Sequence, residues 1–206
     1  VLLENGTFKM WYAGNAAFDA FKAEIGLAFS TDGSEWKKSI ENPVLKRTPG
    51  TLEDTVSSPC ILGNSMTGYH MWYGGGDNRG TCQIGHATSS NGLDWIRQGP
   101  ALTSNPQTWE STCIGNPRVV FDGTTYRMWY IGGSYGPNTF RTWHVGLGTS
   151  TDGVNWTRYG GNPVLKLDRP GFLTALNSLG QQMNIGTSQT VLQAGSAMRG
   201  AVLSNL

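Results

Sequence analysis

The chain has 206 residues, room for one all-β domain or two small ones and for a sizeable core. Charged residues make up 14%, the formal net charge is +1, and neither sign gathers into a run, which argues against nucleic acid and anionic membranes as electrostatic partners. No apolar window approaches a membrane helix and no basic segment leads into an apolar one; Val1 to Leu3 already read as strand, so a secretory or periplasmic targeting signal would lie upstream in a longer protein.

From the amino terminus onward the pattern is one of strands and tight turns, without the 3.6-residue period of helices. A first unit, about 1–59, carries Met10-Trp11-Tyr12, then Ile25-Gly26, then Ser30-Thr31-Asp32-Gly33 with Trp36, and leaves through Asn42-Pro43-Val44-Leu45. A second, about 60–116, repeats the order with Met71-Trp72-Tyr73, Ile84-Gly85 and Ser89-Ser90-Asn91-Gly92 with Trp95. A third, about 117–170, has Met128-Trp129-Tyr130, Val145-Gly146, Ser150-Thr151-Asp152-Gly153 with Trp156, and Asn162-Pro163-Val164-Leu165. Anchors that keep their order three times at a period of about sixty residues mark a repeat. In the third copy Arg118–Phe121, Tyr126–Ile131, Trp143–Thr149 and Trp156–Tyr159 are predicted as four strands, with Asp122-Gly123 and Asp152-Gly153 as hairpin turns. The tail, 171–206, lacks the anchors and reads as a divergent strand or two, or as poorly ordered chain.

Tyr126, Met128 and Tyr130 alternate with Arg127 and Trp129, so both faces of this strand carry large apolar groups. A sheet with two apolar faces must be covered on both, and side-by-side packing around an axis does this: the expectation is an all-β propeller of about three four-stranded blades. Cys60, Cys82 and Cys113 have no Cys-x-x-Cys spacing and are expected as buried free thiols. Asp32 and Asp152 are expected to form their turns. His86 and His144 lack a ligand spacing, and no motif implies a metal or a cofactor.

The Tyr-x-Met-Trp-Tyr-x-Gly strand, the Ile-Gly-x-Ala-x-Ser-x-Asp-Gly-x-x-Trp hairpin, the Asn-Pro-Val-Leu exit and the Pro-x-Val stretch at Asn116-Pro117-Arg118-Val119 resemble the five-bladed propeller glycosidases: arabinanases, xylosidases, invertases and levansucrases, with the related mannoside phosphorylases. The hairpin is also similar to the Asp-box of sialidases, which has one more residue between aspartate and glycine. The resemblance covers residues 1 to about 170, as a partial or truncated member: three units stand against five, and the first inner strand is expected to precede Val1.

The resemblance implies three acids on inner strands around a central channel, used in pairs to protonate the leaving oxygen and to attack the sugar or activate water. Ahead of the second and third units stand Glu53, Asp54 and Glu110, with Glu53 and Glu110 repeat-equivalent; they are the candidate catalytic carboxylates, or else surface residues and caps between blades. Asp77 at a glycine-rich strand end, Asn116 and Arg118 are candidate substrate-binding groups. The expected ligand is an oligosaccharide or small sugar, and a homo-oligomer would supply the missing blade contacts. The alternatives are a non-catalytic carbohydrate-binding or protein-interaction propeller, and a truncated remnant held together by oligomerisation.

Overall fold

The computed structural model describes residues 1–15, 22–77, 80–136 and 139–166; the tail, 171–206, lies outside them. They form three antiparallel sheets. The first is β1 (Leu2–Glu4), β2 (Thr7–Gly14), β3 (Glu24–Ser30) and β4 (Lys37–Lys38), in that order. The second is β5 (Thr55–Asn64), β6 (Gly68–Gly76), β7 (Cys82–Ser89) and β8 (Ile96–Thr103). The third is β9 (Cys113–Phe121), β10 (Tyr126–Gly136), β11 (Thr139–Ser150) and β12 (Thr157–Arg158), with β13 (Leu165–Lys166) also on β11. Each sheet is a meander in chain order and carries one copy of the Met-Trp-Tyr strand: this is a partial β-propeller.

Two cores hold the sheets side by side. Trp11, Ile25, Leu27 and Leu45 of the first sheet meet Val56, Tyr69, Met71 and Tyr73 of the second. Trp72, Ile84 and Leu102 on the other face of the second sheet meet Ile114, Val119, Met128 and Tyr130 of the third. The alternation within Met-Trp-Tyr is what makes this work: Met and Tyr face the preceding sheet, Trp the following one. Full burial of each such side chain contributes roughly 1.5–3 kcal/mol.

The tyrosine also explains the glycine that recurs in Ile-Gly. Tyr73 lies across Gly85, where a Cβ would come within 2.4 Å of the ring, and Tyr130 lies across Gly146 at 2.5 Å. Only a residue without a side chain admits the ring there.

The Ser-x-Asp-Gly turns are built alike. Ser30 Oγ accepts from the backbone N–H of Asp32 and Gly33, and Asp32 Oδ1 accepts from those of Ser34 and Glu35, at 2.8–3.2 Å. The Glu35 N–H, followed by that of Ser34, holds the Asp32 carboxyl well below its ordinary range. Asn91 accepts from Leu93 and Asp94 in the same way without a charge, so geometry rather than ionisation makes the turn.

Four sequence expectations are altered. The first inner strand is present in part: Leu2 pairs with Lys9 in β1 as Leu62 pairs with His70 in the second sheet. The inner strands β5 and β9 begin at Thr55 and Cys113, ahead of the Pro-x-Val stretch, because the bulge at each proline bends the strand without ending it. The outer strands of the first and third sheets are two residues long, since Asn42 takes the place of ladder partners: its Oδ1 accepts from Leu27 N at 2.7 Å and its Nδ2 donates to Leu27 O at 3.0 Å. Asn162 does the same for Leu147. Finally, Cys82 and Cys113 are not free thiols but form a disulfide joining the starts of β7 and β9, which correspond to no shared position in the repeat; Cys60 alone is free.

Candidate functional site

The inner edges of the second and third sheets lie against each other, with Val119 N donating to Cys60 Sγ at 3.2 Å. Just upstream, Ser58 and Asn116 occupy equivalent positions, each before a proline and each left-handed, at φ 51° and 50°. Non-glycine residues rarely adopt this conformation. It accompanies the ladder irregularities between Ser57 and Cys60 and opposite Trp129 to Ile131. The two side chains meet across the sheets, Ser58 Oγ donating to Asn116 Oδ1 at 2.6 Å. Asn116 and Arg118 are both exposed, and one Arg118 nitrogen, Nη1, donates to Pro117 O at 2.8 Å. A hydroxyl and an amide thereby meet between the two sheets, and Arg118 follows two residues on along the same strand, opposite Trp129. Asn116 and Arg118 are expected there from the sequence, and Ser58 is not.

The candidate carboxylates sit elsewhere in the same junctions. Tyr73 Oη donates to Glu53 Oε1 at 2.7 Å, and Arg97 pairs with Glu53 Oε2 while also donating to Lys46 O. One sheet on, Glu110 is buried, Arg158 pairs with its Oε1 and donates to Thr103 O, and the Tyr130 phenol lies beside it. Burial first, then the adjoining glutamate, pushes both phenols above their ordinary range. Each set ties the connector before a sheet to that sheet's second and outer strands. The arginines are absent from the sequence-derived candidates, although Trp95-Ile96-Arg97 and Trp156-Thr157-Arg158 repeat a Trp-x-Arg spacing that marks them.

Asp54 pairs with Arg47 at 2.6 Å, and Arg47 N donates to Glu24 Oε1 at 3.2 Å. Asp77 accepts from Thr81 N at 2.8 Å and so closes its own loop. Glu53, Asp54 and Glu110 therefore each hold an arginine, while Asn116 and Arg118 face outward.

His86 is buried against Trp72, its Nε2 3.1 Å from His70 Nδ1 and its Nδ1 without a partner. Burial, then the neighbouring His70, pushes it down to about 4. Among the described residues no group of three or more His, Cys, Asp or Glu is placed to hold a metal ion, and no helix is long and apolar enough to cross a membrane.

No family model matches the chain. Two curated relatives, uncharacterised proteins from Mycobacterium tuberculosis strains CDC 1551 and H37Rv, are 32% identical over 149 residues, which is 68% of this chain and 47% of theirs. The chain thus spans about half the length of the curated relatives it matches. Among solved structures, BT0996 in its RGII complex superposes with a TM-score of 0.66 at 22% identity, over 81% of this chain and 57% of that one. A family 117 glycoside hydrolase of the marine bacterium Zobellia galactanivorans gives 0.64 at 17%, over 80% and 55%. The family 32 β-fructofuranosidase of Bombyx mori gives 0.62 at 16%, over 81% and 36%. At these identities the likeness is one of fold: the chain shares a partial β-propeller fold with these structures.

Proposed function

We propose that the chain is a glycoside hydrolase-like propeller that takes an oligosaccharide at the junction where Ser58 and Asn116 meet, with Arg118 and Asp77 as further candidate contacts. The observation that carries this is the Ser58–Asn116 pair: two left-handed non-glycine residues meeting between neighbouring sheets. Backbone strain of this kind persists where the surroundings impose it and gathers at ligand sites. A hydroxyl, an amide and a guanidinium suit sugar hydroxyls, which both donate and accept.

Cleavage is the second reading, favoured by the fold shared with glycoside hydrolases, and it falls to Glu53, Asp54 and Glu110. It needs one carboxyl to protonate the leaving oxygen and another to attack the sugar or activate water. The arginine held by each of these groups instead supports a role in anchoring connectors.

Calorimetric titration with arabino-, xylo-, fructo- and manno-oligosaccharides tests the proposal. At least one series is expected to bind, and Asn116→Gly, which keeps the left-handed backbone, and Arg118→Ala to weaken it more than tenfold while leaving the melting curve within a few degrees of wild type. Absence of heat across the whole panel would overturn it. Reducing-sugar release, measured in parallel, separates cleavage from binding.

A further inference from the structure

Two neighbouring junctions close at the same place by different means. Counted back from the glycine of the recurring Ile-Gly pair, Ala23 stands where Cys82 does; counted back from the proline of the inner strand, Thr55 stands where Cys113 does. Between the first and second sheets, Ala23 N donates to Thr55 Oγ1 at 3.2 Å and Val56 N donates to Ala23 O at 3.0 Å. Between the second and third sheets the Cys82–Cys113 disulfide takes this place, beside a Cys82 N–H that donates to Thr112 O at 3.4 Å. Hydrogen bonds suffice to close the first junction here, so the bridge is an addition that the packing of two sheets does not itself require.

The neighbours of the bridge are the candidate site residues. Cys113 lies three residues from Glu110 and three from Asn116, and Cys82 follows Thr81, whose N–H donates to Asp77 Oδ1. The ladder partners of the two cysteines are glycines, Gly76 for Cys82 and Gly133 for Cys113, so no side chain from the paired strand packs against either. Cys113 is 7% exposed and Cys82 is half-buried, which makes Cys82 Sγ the sulfur that an incoming thiolate reaches.

We propose that Cys82–Cys113 is a reversible redox clamp on the start of β9, opened by a dithiol partner. One thiolate of the partner attacks Cys82 Sγ, and Cys113 leaves as a thiolate and takes up a proton; the partner's second thiolate then displaces Cys82 from the mixed disulfide. Two electrons pass to the protein, so that Cys82 and Cys113 end as thiols and the partner ends as a disulfide. Without the bond the starts of β7 and β9 part locally, and the stretch between Glu110 and Asn116 loses its anchor while the core between the second and third sheets stays packed. An effect on oligosaccharide affinity rests on the function proposed above; the local opening does not.

Hydrogen exchange read by mass spectrometry, with dithiothreitol as the dithiol, tests the clamp. Thr55–Ser58 is the internal reference, because it is the equivalent segment and carries whatever the bridge contributes to the stability of the whole chain. On reduction, exchange at Cys113–Asn116 is expected to rise about tenfold beyond the rise at Thr55–Ser58, to return on reoxidation, and to leave the far-ultraviolet spectrum unchanged. Cys82→Ala with Cys113→Ala is expected to match the reduced protein. Cys82→Ala with Cys113→Thr, which copies Ala23 and Thr55, is expected to exchange like the oxidised protein and to ignore the dithiol. Equal rises in the two segments, or none in either, would overturn the clamp. Titration of both redox states with the oligosaccharide panel tests the consequence: affinity is expected to fall at least about fivefold on reduction, and equal affinities would overturn control of the site. Binding in neither state would count against the sugar reading alone, with the exchange result still deciding the clamp.

Discussion

Trp72 donates its indole N–H to the carbonyl of Gly153, 81 residues later in the chain, and is buried to 0% exposure in doing so. Trp11 makes the same bond to Gly92 at the same separation. One residue thus serves as core filler and as a strut between consecutive sheets, and the two contributions can be separated. Trp72→Phe keeps most of the ring and is expected to lose about 1 kcal/mol with the hydrogen bond. Trp72→Ala empties the socket and is expected to cost about 3–5 kcal/mol in urea unfolding. Equal costs for the two variants would refute the strut.

Gly85 and Gly146 lie under tyrosine rings that a methyl group would meet at 2.4–2.5 Å. Gly85→Ala or Gly146→Ala is expected to destabilise by about 1–3 kcal/mol through overpacking. Gly160, with nothing within 4 Å of an added Cβ, is the control, and Gly160→Ala should stay within about 0.5 kcal/mol. Thermal melts of the three variants decide.

His86 is held neutral by burial, its pKa falling from 6.5 to about 4, while an unfolded chain protonates it near 6.5. Between these values the unfolded state binds more protons, so stability is full above about pH 6.5 and drains away as pH falls toward 4. Leu27 and Leu147 occupy the equivalent position in the sister sheets. His86→Leu is therefore expected to flatten the pH dependence of unfolding across this window, and an unchanged profile would count against the assignment.

Glu110 is 1% exposed and pairs with Arg158. Glu110→Ala is expected to cost about 3 kcal/mol, because it strands the arginine beside an apolar core. The double variant with Arg158→Ala should cost less than the sum of the two single changes. A Glu110→Ala protein of wild-type stability would mean that the carboxylate is free for chemistry.

The Cys82–Cys113 bridge closes a 31-residue separation, and reduction is expected to remove about 3–4 kcal/mol on the chain-entropy view. Thiol titration of the denatured protein should count one reactive group before reduction and three after.

The repeat is readable because each of its residues answers a local demand. Serine and aspartate close a turn, glycine admits a tyrosine ring, and alternation puts methionine and tryptophan on opposite faces. The site is less readable. Asn116 and Arg118 stand out beside their proline, but Ser58 does not, since its left-handed backbone follows from a bulge that no local pattern announces. Glu53 and Glu110 are recognisable as equivalent, yet the arginines that hold them come from outer strands more than forty residues away.

The sequence by itself determined the four-stranded unit, its threefold recurrence and the two-faced sheets that require neighbours, because turns and strand alternation act over a few residues. Only the tertiary structure decided which cysteines pair, which carboxylates are bound to arginine, and that the indole of one sheet reaches the turn of the next. Those contacts join residues from different units, and their existence depends on how the sheets are set against one another in space.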